Sequence, residues 1–222
     1  MSQTSLLLDV QDVGYARDGT RLLSPVSLQL HQGEFMLLTG PSGSGKSTLL
    51  KILASLLDPT QGEIFYRGKA VSQCKPETYR QQVSYCYQTP VLFGETVYDN
   101  LALPWLIRQK KVDREVLISW LKKVNLAADM LDKNIVQLSG GEKQRVALLR
   151  NLQFLPDVLL LDEITSALDE ENKQAIKLLI EDLVVEKGVA AIWISHDKAE
   201  INQAQRVLTL VSAQGKDTHE SA

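Results

Sequence analysis

No stretch of the 222 residues approaches the ~20 consecutive apolar positions that a membrane-spanning helix needs. The opening MSQTSLLLDVQDVGY holds three adjacent leucines but no basic leader, so neither a signal peptide nor an anchor is expected there. Cysteine is scarce: Cys74 and Cys86 lack C-x-x-C spacing, which fits a reducing, cytosolic setting. His31, His196 and His219 lie far apart, so no intrinsic metal cluster is expected. Cations are not concentrated either. Lys and Arg number 24 against 27 Asp and Glu, the net charge is −3, and RQKK at Arg108–Lys111 reads as a solvated helix end. That balance argues against nucleic acid as a partner. No internal repeat or low-complexity segment occurs.

What remains is an ordinary globular composition, 44% hydrophobic and 23% charged, enough for one core-forming domain. Leu6–Val13 predicts a strand. Val26–Leu30 and Phe35–Thr39 predict two more, split by Gln32-Gly33 as if in a hairpin. After Gly40 a helix is expected from Lys46 to about Leu57, then short strands near Glu63–Arg67 and Gln82–Tyr87. From about Thr96 to Phe154 helical periodicity dominates, with Val112, Val116, Leu117, Trp120, Leu121 and Val124 on one face. DVLLLDE then reads as a strand buried on both faces. A helix over about Glu171–Lys187 follows, with Gly188 as its C-cap, and VAAIWIS is another buried strand. Alternating strands and helices predict a doubly wound α/β fold. The expected division is one domain over 1–222, with an α/β core at about 1–88 and 155–222 and a helical subdomain at about 89–154.

Gly40-Pro41-Ser42-Gly43-Ser44-Gly45-Lys46-Ser47 fits G-x-x-x-x-G-K-[ST], and Thr48 continues it into the helix. Glycines let successive N–H groups turn inward around the β- and γ-phosphates of a nucleotide. Lys46 adds a point charge, and the Ser47 hydroxyl is placed for Mg²⁺. Asp162 and Glu163 end the buried strand. Asp162 suits Mg²⁺ held through water, and Glu163 suits a general base that takes a proton from attacking water. Gln88, at a strand end, can orient water, touch Mg²⁺ or sense the γ-phosphate, and His196 ends another strand on the same edge. Ser139, Gly140 and Gly141 open a second helix whose N-terminus favours an anion. One γ-phosphate does not easily sit in two separated loops of one small chain. Two copies related by a two-fold axis would complete each other's sites.

In this order, the phosphate loop, Gln88, LSGGE, LLLDE, SALD and His196 resemble the nucleotide-binding subunits of ABC transporters over essentially the whole chain. The resemblance implies a P-loop NTPase fold with an antiparallel β subdomain and an inserted helical subdomain. It implies ATP with Mg²⁺ as the bound nucleotide, ATP hydrolysis coupled to transport, and an ATP-sandwich dimer with a second copy. By the same resemblance Tyr15 stacks on adenine, Ser139–Glu142 form the signature, Ser166–Asp169 the D-loop with Asp169 at the nucleotide, and His196 contacts the γ-phosphate. Glu142 stands where Gln is commonest, Ile164 where Pro is usual, and RNLQF replaces the common Arg-Ala-Leu. Those departures, together with RQQVSYCYQTPVLFGETVYDNLALPW and SHDKAEIN, resemble a bacterial branch of Fet-type iron-exporter ATPases. That branch implies a separate multi-span permease as partner. Because Gln88 joins the core to the helical block, its docking is expected near residues 89–105, with Phe93, Tyr98 and Trp105 as candidate contacts. The branch also implies a peripheral location on the cytoplasmic face of the inner membrane. A soluble ABC ATPase serving a protein assembly, such as iron–sulfur cluster biogenesis, would share every one of these motifs.

Overall fold

The computed structural model describes residues 5–195, 201, 204 and 206–212. β1 (Leu6–Arg17) turns at Asp18-Gly19 and pairs back with β2 (Thr20–His31), Arg17 facing Thr20. Asp18 and Gly19 have φ of 50° and 76°, the left-handed pair that a tight two-residue hairpin needs and Asp-Gly adopts cheaply. The hairpin therefore lies here and not at Gln32-Gly33. With β2 already paired to β1, Gly33 (φ 69°) instead carries the chain into β3 (Phe35–Thr39), which belongs to a second sheet.

α1 (Lys46–Leu53) stops short of the expected Leu57, because Ser55 takes a left-handed φ of 55° that no helix continues through. β4 (Gln61–Tyr66) and the two-residue β5 (Lys69–Ala70) complete an antiparallel sheet of order β2-β1-β4-β5. α2 (Pro76–Gln82), absent from the sequence reading, starts with proline at its first turn, where the missing N–H is no loss.

The second sheet is parallel throughout. Its order is β6-β7-β8-β3-β9, with β6 (Val83–Cys86), β7 (Val158–Asp162), β8 (Ala190–Ile194) and β9 (Val207–Thr209). Successive side chains point to opposite faces. Val158, Leu160, Ile192 and Leu38 pack toward α1 and the antiparallel sheet. Leu159, Leu161, Trp193 and Leu37 pack toward the helices α3 (Val97–Ile107), α4 (Arg114–Lys122), α5 (Gly140–Leu152) and α6 (Glu170–Lys187). α3, α4 and α5 all fall between β6 and β7 in the chain.

The helical faces are those the periodicity indicates, with one exception. Leu117, Leu121 and Val124 are fully buried, and Val112 and Trp120 pack against them; Val116 is not among the residues of that core. Ile176, Leu179, Ile180, Leu183 and Val184 form the buried face of α6, and Gly188 caps it at φ 68°. Side chains cap the N-termini of α3, α4, α5 and α6 at Thr96, Asp113, Ser139 and Asp169. Burial of both faces of β7 leaves its C-terminal edge as the place where acids can emerge.

Candidate active site

The turn from β3 into α1 depends on two glycines for steric reasons. At Gly40 φ is 143° and a Cβ would stand 2.5 Å from the Leu210 carbonyl oxygen. At Gly45 φ is 91° and a Cβ would stand 2.5 Å from the Leu22 carbonyl oxygen. No side chain fits at either. Pro41, Ser42 and Gly43 form the exposed rim, and Thr48 lies half-buried in the first turn of α1. Lys46 Nζ donates to the carbonyls of Gly40 at 2.9 Å and Pro41 at 3.0 Å, so its charge is held within its own loop. Ser44 is 1% exposed and its Oγ has no hydrogen-bond partner. An orphaned buried hydroxyl costs about 1–3 kcal/mol, which a phosphate oxygen would relieve.

Asp162, the last residue of β7, is 3% exposed. Its Oδ1 accepts from Ser47 Oγ at 3.0 Å, and its Oδ2 accepts from the Tyr85 hydroxyl. Burial, and next the bond to Asp162, push the Tyr85 phenol far above its ordinary pKa, so it is a donor at neutral pH. Ser47 and Asp162 are hard oxygen donors next to a phosphate loop, the set that Mg²⁺ uses when phosphates and water supply its other ligands. Among the described residues no three His, Cys, Asp or Glu gather as a metal site.

Glu163 follows directly, with a left-handed φ of 48°. For a non-glycine residue that conformation is uncommon and costs of order 1–3 kcal/mol. Glu163 Oε2 accepts from Gln88 Nε2 at 2.8 Å. The structure thus joins two residues 75 positions apart that the sequence could nominate only singly. Tyr15 sits half-buried on β1 opposite Leu23. His196 lies outside the described residues.

The second glycine turn is built by a capping box. Ser139 Oγ accepts from the Glu142 N–H at 3.2 Å, and Glu142 Oε2 accepts from the Ser139 N–H at 2.7 Å. That backbone donor holds the Glu142 carboxyl below its ordinary pKa, with Lys133 assisting and partial burial opposing. The N–H groups of Gly140 and Gly141, beyond the reach of any intrahelical carbonyl, find no acceptor among the described residues. Gly141 lies against the Ser166–Asp169 turn: a Cβ on it would stand 2.8 Å from Leu168 Cδ2. Among the described contacts, Gly141 meets that turn, Ser139 bonds to Glu142, and none of Ser139–Gly141 bonds to the phosphate loop of the same chain.

Asp169 caps α6, accepting from the Asn172 N–H at 2.9 Å and from Asn172 Nδ2 at 2.9 and 2.8 Å. Asn172 Oδ1 in turn accepts from Arg145 Nη1 at 2.5 Å. Arg145, 8% exposed on α5, also donates to the carbonyls of Val124 at 2.9 Å and Asn125 at 3.3 Å. Sequence reading missed Arg145 and Tyr85. Arg145 could have been found as a cation amid the buried run VALL; Tyr85 gave no signal beyond an aromatic in a strand. Of the aromatics expected at a docking face, Phe93 is 50% exposed, with Tyr87 and Val91 beside it in sequence also exposed. Tyr98 and Trp105 instead pack on the helical core, and Trp105 Nε1 donates to Gln153 Oε1 at 3.1 Å.

Comparison with known proteins follows the same lines. The profile of the ABC transporter family matches residues 23–166. The "Probable iron export ATP-binding protein FetA" of Escherichia coli (strain K12) is 55% identical over 210 residues, covering 95% of this chain and 93% of that protein. "ABC transporter I family member 17" of Arabidopsis thaliana is 36% identical over 88% of this chain and 74% of its own. Among solved structures, the dimeric bacterial ABC transporter cassette MJ0796 matches with a TM-score of 0.82 at 26% identity, covering 93% of this chain and 95% of the cassette. A bacterial Atm1-family ABC exporter with ATP bound matches with a TM-score of 0.83 at 28% identity, over 94% of this chain and 38% of the exporter.

Proposed function

Because the chain belongs to the ABC transporter family, we propose that it is the ATP-hydrolysing subunit of a transporter, working as a pair of identical copies on a separate multi-span permease. The observation that carries the pairing is the separation of two phosphate-binding turns. Gly141 packs on the Ser166–Asp169 turn, and the Gly140 and Gly141 N–H groups have no acceptor among the described residues, while Lys46 is bonded within its own phosphate loop. Two-fold pairing lets each turn serve the other copy's nucleotide.

Each residue then has a defined task. The N–H groups of Gly40–Ser47 surround the β- and γ-phosphates, and Lys46 exchanges the carbonyls of Gly40 and Pro41 for phosphate oxygens. Tyr15 stacks on the adenine. Ser47, Gln88 and Asp162 hold Mg²⁺, which when bound neutralises charge on the phosphate oxygens. Glu163 takes the proton of the attacking water as the new P–O bond forms and the bond to ADP breaks, and Gln88 keeps the carboxylate aimed. Ser139, Gly140, Gly141 and Asp169 of the second copy, with His196, close over the γ-phosphate. The helical block at about 89–154 moves against the α/β core as the pair closes, and Gln88 at the junction relays the nucleotide state.

Tyr87, Val91 and Phe93, exposed just after β6, form the docking face for the permease. Among the described residues no helix is long and apolar enough to cross a membrane, so this reading places the spanning segments in the partner. The subunit then sits peripherally on the cytoplasmic face of the inner membrane. Iron export is the cargo assignment, supported by the 55% identical relative.

Glu163→Gln tests the chemistry. It should bind ATP, accumulate as a dimer on size exclusion and turn over at a small fraction of the wild-type rate. Hydrolysis near the wild-type rate would overturn the general-base assignment. Affinity purification from solubilised host membranes tests the transport reading: a stoichiometric multi-span protein supports it, and a soluble scaffold in its place refutes it. Iron uptake by inside-out vesicles containing the pair then tests the cargo.

A further inference from the structure

We propose that Tyr85 is a positioning residue for the magnesium carboxylate, its hydroxyl holding one oxygen of Asp162 so that the other stays turned to Ser47. The inference rests on the reading that Ser47 and Asp162 hold the ion. Both oxygens of Asp162 are committed: Oδ1 accepts from Ser47 Oγ at 3.0 Å and Oδ2 from Tyr85. A carboxylate's terminal torsion is broad, so nothing in Asp162 itself fixes the plane of the group with one oxygen toward Ser47. The bond from Tyr85 to the other oxygen fixes that torsion.

The phenol is well fixed for this task. β6 and β7 pair in parallel with Tyr85 opposite Leu160, and alternation puts Asp162 on the same face as Leu160, one step further along. Tyr85 is 8% exposed. Its ring meets Tyr87 edge-on, with centroids 4.6 Å apart at 84°. The Tyr87 carbonyl is held in turn by Gln144 Nε2 of α5 at 3.0 Å. At Asp162, 3% exposed, bulk water does not readily replace a lost donor.

Tyr85→Phe keeps the ring and deletes the hydroxyl. Two readouts on the full chain separate positioning from folding: the ATP-induced rise in melting temperature in EDTA, and its further rise as Mg²⁺ is titrated. The proposal expects the EDTA value unchanged and the Mg²⁺ half-point raised roughly five- to tenfold, with steady-state turnover recovering at saturating Mg²⁺. A merely structural residue would lower turnover at every Mg²⁺ concentration. Asp162→Asn, run alongside, tests the underlying reading, and the double variant should be no worse than Asp162→Asn alone. If Asp162→Asn moves the Mg²⁺ half-point and Tyr85→Phe does not, the positioning role is refuted. If neither moves it, the magnesium assignment fails and the proposal fails with it. Should the phenylalanine variant not fold, Tyr85→Met carries the same comparison, since it too fills the site without a donor.

Discussion

Gly140→Ala should stabilise the isolated chain and yet disable the pair. Gly140 is the first residue of α5, is exposed, and does not take a left-handed φ. A Cβ built on it meets nothing within 4 Å, so alanine fits the monomer without strain. Replacing a glycine at such a site restricts the unfolded chain and adds about 0.4–1 kcal/mol of stability. For a chain of this length 1 kcal/mol is worth about 2–4 °C, so the melting temperature should rise by roughly 1–4 °C. The same methyl group stands on the turn whose N–H groups the proposed pairing would offer to the other copy's nucleotide, where backbone would have to approach phosphate closely. On the Glu163→Gln background, ATP-dependent dimer measured by light scattering should fall about tenfold, the equivalent of roughly 1.4 kcal/mol. Gly45→Ala is the contrast: its Cβ would collide with the Leu22 carbonyl oxygen at 2.5 Å, so the monomer itself should lose stability. Undiminished dimer formation by the Gly140→Ala background variant would refute the sandwich; a lowered melting temperature would refute the local reading of the turn.

Three further outcomes follow from the same geometry. Lys46→Ala should weaken ATP binding at least tenfold in a fluorescent-nucleotide titration, because the ammonium now held by the Gly40 and Pro41 carbonyls is the loop's own cation; unchanged affinity would remove the phosphate-loop assignment. Arg145→Met should cost about 1–3 kcal/mol in urea unfolding, since the Val124 carbonyl and Asn172 Oδ1 lose a buried donor, and a neutral result would mean that those groups find other partners. Glu142 has a folded pKa below its ordinary 4.5, so its contribution is present above that value and lost as pH falls through the folded pKa. Glu142→Gln keeps an acceptor for the Ser139 N–H without the titration; its melting temperature relative to wild type should therefore be higher at pH 3.5 than at pH 7, and a constant difference contradicts this.

The parts of the fold legible in sequence are those set by local chemistry or strong periodicity. VLLLD declares a strand buried on both faces, Ser139 and Glu142 declare a capped helix, and Gly188 declares its neighbour's end. The misplaced hairpin shows the limit. Gln32-Gly33 and Asp18-Gly19 are both plausible turns, and only the partner of β2 decides which one folds a strand back on itself. Site residues divide the same way. The phosphate loop is a contiguous pattern, so it can be read directly. The Gln88–Glu163 bond, the Tyr85–Asp162 bond and the Arg145–Asn172 link join segments distant in sequence, and no local signal encodes such pairings.

The distribution of satisfied and unsatisfied donors gives the site its logic. A group buried away from water must be partnered or it destabilises the fold. Lys46, Asp162 and Glu163 each already have a partner within this chain, so nucleotide binding at those positions is an exchange of partners with modest net gain. The unpaired donors lie elsewhere. Ser44 Oγ is orphaned inside the phosphate loop, and the Gly140 and Gly141 N–H groups are open at the start of α5. Among the described residues, donors open to phosphate thus occur both in the phosphate loop with Lys46 and at the start of α5. Filling the α5 donors within one chain would require α5 to leave the Ser166–Asp169 turn, against which Gly141 is packed. Bringing a second copy to them requires no such rearrangement. On the proposed pairing, the Gly140 and Gly141 N–H groups add hydrogen bonds to nucleotide that the same chain's phosphate loop does not supply, so association of the two copies would be coupled to nucleotide binding.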